Sequence, residues 1–241
     1  MRPYCSLTAV LLLASCQPVS ALTITTPRVI VEIQAHNIVG KNLQGKPIFS
    51  LTDYLKPMPT CKGGLKVTPL SLVGDLLSLQ IDGQNCTDDF SVINVYRVGA
   101  GTVAPLSLTD FVSEGIVANA LKQDPYLRVH WKVSGTTLGE LDSALVDQNY
   151  IPEQNCEVFS GNPLSLAAST FAFWKTTETQ MDVRLALPLR CGGVATSNDY
   201  SWLGLTLPIP TKLKSDLKAA KLGKGFLAAQ RPKMAVIIER R

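Results

Sequence analysis

The residues that could carry chemistry in this 241-residue chain are few and widely spaced. Only two histidines occur, His36 and His130. A Ser–His–Asp triad would have to recruit one of them, and the G-x-S-x-G elbow that would expose a nucleophilic serine is absent. His36 closes an extended segment before Asn37 and Gly40, and His130 falls on the polar side of an alternating stretch, so both read as hydrogen-bonded surface residues. Asp53, Asp75, Asp110, Glu114, Glu140 and Asp142 offer carboxylates for the acid–base pair of a glycan hydrolase. Glu140 and Asp142, near the end of an extended stretch, are the best placed of them. Loop charges that keep the chain soluble are the simpler account. Leu222-Gly223-Lys224-Gly225-Phe226 lacks the first glycine and the Ser or Thr of a phosphate loop. With no dinucleotide fingerprint either, no cofactor is expected.

Cysteine chemistry is better defined. Beyond the N-terminal segment stand Cys61, Cys86, Cys156 and Cys191, separated by 25, 70 and 35 residues. Those gaps exclude a CxxC metal or redox pair, so no metal site is expected. An even number of cysteines in an exported chain favours two disulfides, with three connectivities available. Local pairing, Cys61–Cys86 and Cys156–Cys191, joins residues within one region of the chain each time. Asn85-Cys86-Thr87 matches the N-x-T glycosylation pattern, which matters only in a eukaryotic cell.

The case for export lies in the first 21 residues, MRPYCSLTAVLLLASCQPVSA. Arg2 precedes an apolar run from Leu7 to Ala14, the layout of a secretory signal and too short for a permanent membrane helix. Val19-Ser20-Ala21 carries small residues where a general signal peptidase reads, leaving Leu22 as the new N-terminus. Leu13-Ala14-Ser15-Cys16 resembles the lipobox of bacterial lipoprotein precursors. That resemblance implies that Cys16 carries acyl chains and tethers the protein to a membrane, and Gln17 would then direct it to an outer membrane. No later stretch is long and apolar enough to span a bilayer.

The remaining charge is unevenly distributed. From Thr211 to Arg241, nine Lys and Arg residues face only Asp216 and Glu239, although the whole chain is +4; the remainder is net negative. Leu213, Leu217 and Ala220 share one helical face with Lys212, Lys214, Lys218, Lys221 and Lys224 around it. This basic segment is the candidate binding surface, fitted to lipid headgroups or an acidic envelope protein. Export and the scarcity of interleaved aromatics argue against nucleic acid.

The elements that would position these residues are mainly strands. Arg28–Gln34 alternates, with Val29, Val31 and Ile33 on one face. Leu77–Ile81 alternates ahead of Asp82-Gly83, read as a turn, and Phe90–Val98 reads as an antiparallel strand buried on both faces. Gly99–Pro105 is a candidate boundary between an N-terminal β-rich part, 22–98, and a C-terminal α+β part, 106–241, which could equally form one domain. Thr109 is expected to cap a helix with a stripe of Phe111, Val112, Ile116, Val117, Ala120 and Leu121, ended by Asp124-Pro125. The alternation Leu127, Val129, Trp131, Val133 against Arg128, His130, Lys132, Ser134 predicts a strand. Thr170–Lys175 and Met181–Leu189 form a hairpin, with Phe171 and Phe173 packed inside and Trp174 partly exposed. Gly223 and Gly225 break the basic helix before a last strand at Ala235–Ile238. The expectation is a β-rich, disulfide-bonded α+β fold: an antiparallel or mixed sheet with one or two helices on one face. Its expected role is non-enzymatic, binding or scaffolding a component of the cell envelope, in the outer membrane or periplasm. A soluble secreted effector, adhesin or toxin-like factor is the alternative, and a secreted hydrolase a more distant one.

Overall fold

Short alternating segments at the N-terminus build a four-stranded meander. The computed structural model describes residues 21–55, 64–84, 89–100, 106–130, 134–146, 150–151, 155–158, 161–191 and 199–238. Strands β1 (Leu22–Thr25), β2 (Ile30–Ile33), β3 (Ile38–Lys41) and β4 (Pro47–Ser50) pair antiparallel in chain order, and helix α1 (Leu51–Leu55) follows. Val29, Val31 and Ile33 are fully buried, as their alternation requires.

A second sheet forms from β5 (Leu65–Val73), β6 (Leu76–Gln84), β7 (Asp89–Arg97) and the C-terminal β13 (Val236–Ile238), in the order β13-β5-β6-β7. The turn between β5 and β6 needs Gly74, whose φ is 61° and whose missing Cβ leaves room for the Asp216 carboxylate. Asp82-Gly83 is not a turn. Both residues stay in β6, opposite Ser91 and Phe90. Glycine is required there because a Cβ would press on the Leu65 side chain and the Phe90 ring. Along β7 the burial of Ile93, Val95 and Tyr96 at both parities fits a strand covered on two sides. Leu77, Leu79, Ile81 and Tyr96 meet Val31 and Ile33 of the first sheet. Burial there pushes the Tyr96 phenol up to about 12.

The third sheet and its helices occupy the rest. Ser107 caps a short 3-10 turn at Leu108–Asp110, and Ser113 precedes α2 (Glu114–Gln123). Thr109 is therefore inside the 3-10 turn and is not a helix cap, because Ser107 already accepts from its amide. Helix α3 (Pro125–His130) replaces the predicted strand at 127–134, of which 131–133 lie outside the described residues. The cause is local. Asp124 Oδ1 accepts the Leu127 amide, its carbonyl accepts Arg128, and Pro125 starts the turn without needing a partner for its nitrogen. Leu127 points inward while Val129 is 79% exposed, so the alternation does not describe a sheet face.

Next come α4 (Leu138–Val146), β8 (Tyr150–Ile151), β9 (Cys156–Val158) and α5 (Pro163–Ser169). The expected hairpin is β10 (Phe171–Thr176) with β11 (Gln180–Cys191), and β12 (Asp199–Pro208) pairs along most of β11 before α6 (Thr211–Lys221). Phe171, Phe173, Val183, Leu185, Leu203 and Leu205 face a core shared with α2, α4, α5 and α6. More helices thus cover this sheet than the one or two expected, and every strand pairing among the described residues is antiparallel. Val73, Leu76 and Val95 of the second sheet enter the same core. The free edge of β10 is met by Ser71, which accepts the Phe173 amide and donates to Ser78, satisfying polar groups that are fully buried.

Candidate functional site

The carboxylates singled out as acid–base candidates bind backbone. Asp142, 3% exposed, accepts the Leu164 amide and the Ser165 hydroxyl, each at 2.6 Å, and so fixes the start of α5. Glu140 accepts from Thr136 N, Thr136 Oγ1 and Thr137 N; these hydrogen bonds hold its carboxyl below the usual range. Glu114 caps Leu138, and Asp110 accepts the Ser107 amide. Asp75 lies in the β5–β6 turn, 3.8 Å from Arg97, and Asp53, a residue of α1, is also engaged. His36 Nδ1 sits 2.9 Å from the Ile237 carbonyl and donates to it. The side chain of His130 lies outside the described residues, as do Cys16, Cys61, Cys86 and the Asn85 glycosylation pattern. Among the described residues no cluster of His, Cys, Asp and Glu has the grouping a metal ion needs, and no helix is long and apolar enough to cross a membrane.

The basic segment folds as its pattern implies. Leu213, Leu217 and Ala220 are buried at helical spacing, and the helix ends where Gly223, at φ 84°, and Lys224 return their amides to Ala220 and Ala219. Gly225 then brings the backbone against Leu72, where a Cβ would collide with its carbonyl, and Phe226 bridges to Leu72. Asp216, on the inner side of α6, meets Arg28 Nε at 2.7 Å. Burial raises the Asp216 carboxyl above its ordinary range; Arg28 opposes that shift and Asp75 adds to it. The one acidic residue of the helix is therefore turned inward, and all five lysines are exposed.

The five lysines do not all line one cleft. Lys214, Lys218 and Lys221 line a cleft of about 470 Å³ with Thr176, Thr177 and Thr179 of the β10–β11 turn. Glu178 is the single acidic residue lining it. The hydroxyls of Thr176 and Thr177 donate to Gln180 O and so hold the turn, leaving three ammonium groups against the one Glu178 carboxylate as the charged chemistry of the cleft. Those ammonium groups have no ion-pair or hydrogen-bond partner among the described residues. Lys212 is instead drawn to the Asp110 carbonyl, 4.8 Å above the Phe111 ring, and Lys224 stands between two glycines beyond the helix.

A second cleft, of about 390 Å³, was not visible in the sequence. It opens on the opposite face of the third sheet, where Trp174, Arg184 and Trp202 come from three neighbouring strands and Gln80 and Arg231 from elsewhere. Trp174 alone was singled out by pattern, and it is partly buried as expected. Beside it, Tyr200 donates to the Ser91 carbonyl at 2.6 Å; burial, with the Asp82 carboxylate adding, pushes its phenol up to about 12. No protein family, curated protein or solved structure matches the chain.

Proposed function

We propose that this is an exported, non-enzymatic binding protein of the cell envelope that uses the Lys214–Lys218–Lys221 face of α6 to hold an anionic component of that envelope. The observation that carries the reading is the grouping of three unpaired ammonium groups along one cleft, with Asp216 turned away. Lys214 also lies in the first turn of α6, at the positive end of the helix dipole, where a cation does not favour the helix. Its placement there is explained by a ligand more readily than by stability.

Anchoring through Cys16 fits this reading. Five residues, 17–21, separate Cys16 from the start of β1 at Leu22, a leash of at most about 20 Å. Arg28, just beyond β1, contacts α6 through Asp216 and the Lys212 carbonyl. A lipidated Cys16 would keep the basic helix within reach of the bilayer it is tethered to. Two disulfides complete the proposal. Cys156 stands directly opposite Cys191 in the β9–β11 ladder, a backbone register compatible with a bridge; Cys61–Cys86 would be the other pair.

The test is flotation of the signal-free protein with anionic and neutral phospholipid vesicles. Binding is expected to anionic vesicles at low salt, with release near about 0.5 M, where the Debye length falls to roughly 4 Å. Replacing Lys214, Lys218 and Lys221 by Gln should weaken binding on the order of 100-fold, at about 1 kcal/mol per cation near the surface. Equal binding to neutral vesicles, or an unaffected triple variant, would refute the reading. Intact mass of the native protein separates an acylated Cys16 from a released chain beginning at Leu22.

A further inference from the structure

We infer that the cleft between Trp174, Arg184 and Trp202 is a binding site for a carboxylated pyranose, a hexuronate-type sugar, independent of the lysine face of α6. Its floor is apolar: Leu70, Ala172 and Ala228 are 3%, 2% and 8% exposed. Over that floor Arg184 lies with its guanidinium carbon 5.4 Å from the centroid of Trp174. The side chain fits because its cross-strand neighbour is Gly204, where a Cβ would overlap the guanidinium. Stacking on one side and backbone on the other leave the guanidinium little freedom, so its planar fork is set before any ligand arrives. Arg231 adds a second, exposed guanidinium to the lining. Neither arginine has a carboxylate partner among the described residues. Two unpaired forks beside an apolar floor match one ligand group best, a carboxylate held by paired N–H donors.

The body of the ligand follows from the other two side chains. Arg184 already covers one face of Trp174, so Trp202, 41% exposed, is the open aromatic platform. Gln80 is oriented by donating from Nε2 to Asp82 Oδ1 at 2.9 Å and Ser91 Oγ at 3.3 Å. Its carbonyl oxygen has no partner among the described residues and awaits a donor. A pyranose supplies both surfaces, C–H groups on its face for the indole and hydroxyls on its rim for the amide. A flat aromatic acid supplies the face but no hydroxyl. The volume suits one sugar ring with room for water, and lies in the range of small-molecule pockets.

The experiment titrates the signal-free protein with glucuronate, glucose and benzoate, followed by tryptophan fluorescence and calorimetry. Glucuronate should bind with Kd of about 1 mM or tighter, and glucose and benzoate at least about tenfold more weakly. Arg184→Met should erase the preference for glucuronate over glucose. Trp202→Ala and Arg231→Gln change exposed side chains and keep the test valid if the first variant fails to fold; each should weaken glucuronate binding at least about threefold. The inference is overturned by equal binding of glucose, by benzoate binding as tightly as glucuronate, by no binding up to about 10 mM, or by indifference to Trp202→Ala. The triple lysine variant should bind glucuronate normally, so failure here is distinguishable from failure of the vesicle experiment.

Discussion

Lys214, Lys218 and Lys221 project from a helix into solvent, each on four rotatable bonds, whereas Arg184 is stacked on Trp174 and seated over Gly204. Both clefts are cationic, but the cations are held in different ways. The loose set attracts charge at a distance, tolerates varied geometry and loses side-chain entropy on binding. The seated guanidinium gives up little freedom and discriminates by shape. On the proposed readings one molecule carries a surface for adhesion and a pocket for selection, and salt should tell them apart.

That comparison can be broken first at the core beneath the lysine face. Leu217 is fully buried with Phe171 and Val183, so α6 should be as firmly seated as the strands. Leu217→Ala is expected to cost about 2–5 kcal/mol, read as a shift of the urea midpoint. A cost under about 0.5 kcal/mol would mean that the helix is peripheral and its cations are displayed on a movable arm. Gly74→Ala is the next largest. It places a Cβ against Asp216 at a φ of 61° and should cost about 1–3 kcal/mol in the same assay, without altering the response to glucuronate. Raising salt from about 0.05 to about 0.5 M sharpens the contrast: vesicle binding should fall more than about tenfold and glucuronate binding less than about threefold. Equal salt dependence would show that the two clefts work alike.

The smallest effect concerns Asp216. Its carboxyl is raised in the folded protein, so the native state takes up a proton that the unfolded chain has already lost. Its contribution is therefore fullest below the ordinary carboxylate range and is lost as pH rises through the raised value. Asp216→Asn should flatten that part of the stability profile, measured as the difference between variant and parent melts across acid pH. A pH-independent difference would mean that Arg28 cancels the effect of burial, and a difference of the opposite slope that Arg28 outweighs it and pins the helix by charge.

What could be read without coordinates was local. Val29, Val31 and Ile33, the β10–β11 hairpin and the buried face of α6 all follow from periodicities spanning a few residues. The stretch from Leu127 failed because four alternating residues also fit a helical turn, and the choice was made by Asp124, which accepts both Leu127 N and the distant Gly204 N. The structural roles of the carboxylates were out of reach for a related reason: Asp142 is used by α5, twenty-two residues ahead. The tryptophan cleft was hidden altogether. Trp174, Arg184 and Trp202 converge through the register of β10, β11 and β12, Gln80 and Arg231 join them from β6 and from the segment after α6, and no short window contains them.

The pairing of β13 with β5 has a consequence for the order in which the protein can be made. Val236–Ile238 lie along Leu65–Val67, and the Ile237 amide donates to Ala35. A chain emerging N-terminus first must therefore hold β5 with one edge bare through roughly the next 160 residues of synthesis. An unpaired edge is a template for pairing with another chain, so this is the interval in which neighbouring nascent chains would stick to one another. A chaperone that covers extended apolar strands would find its target in residues 65–73. Chains that stop short of Val236 would keep that target permanently.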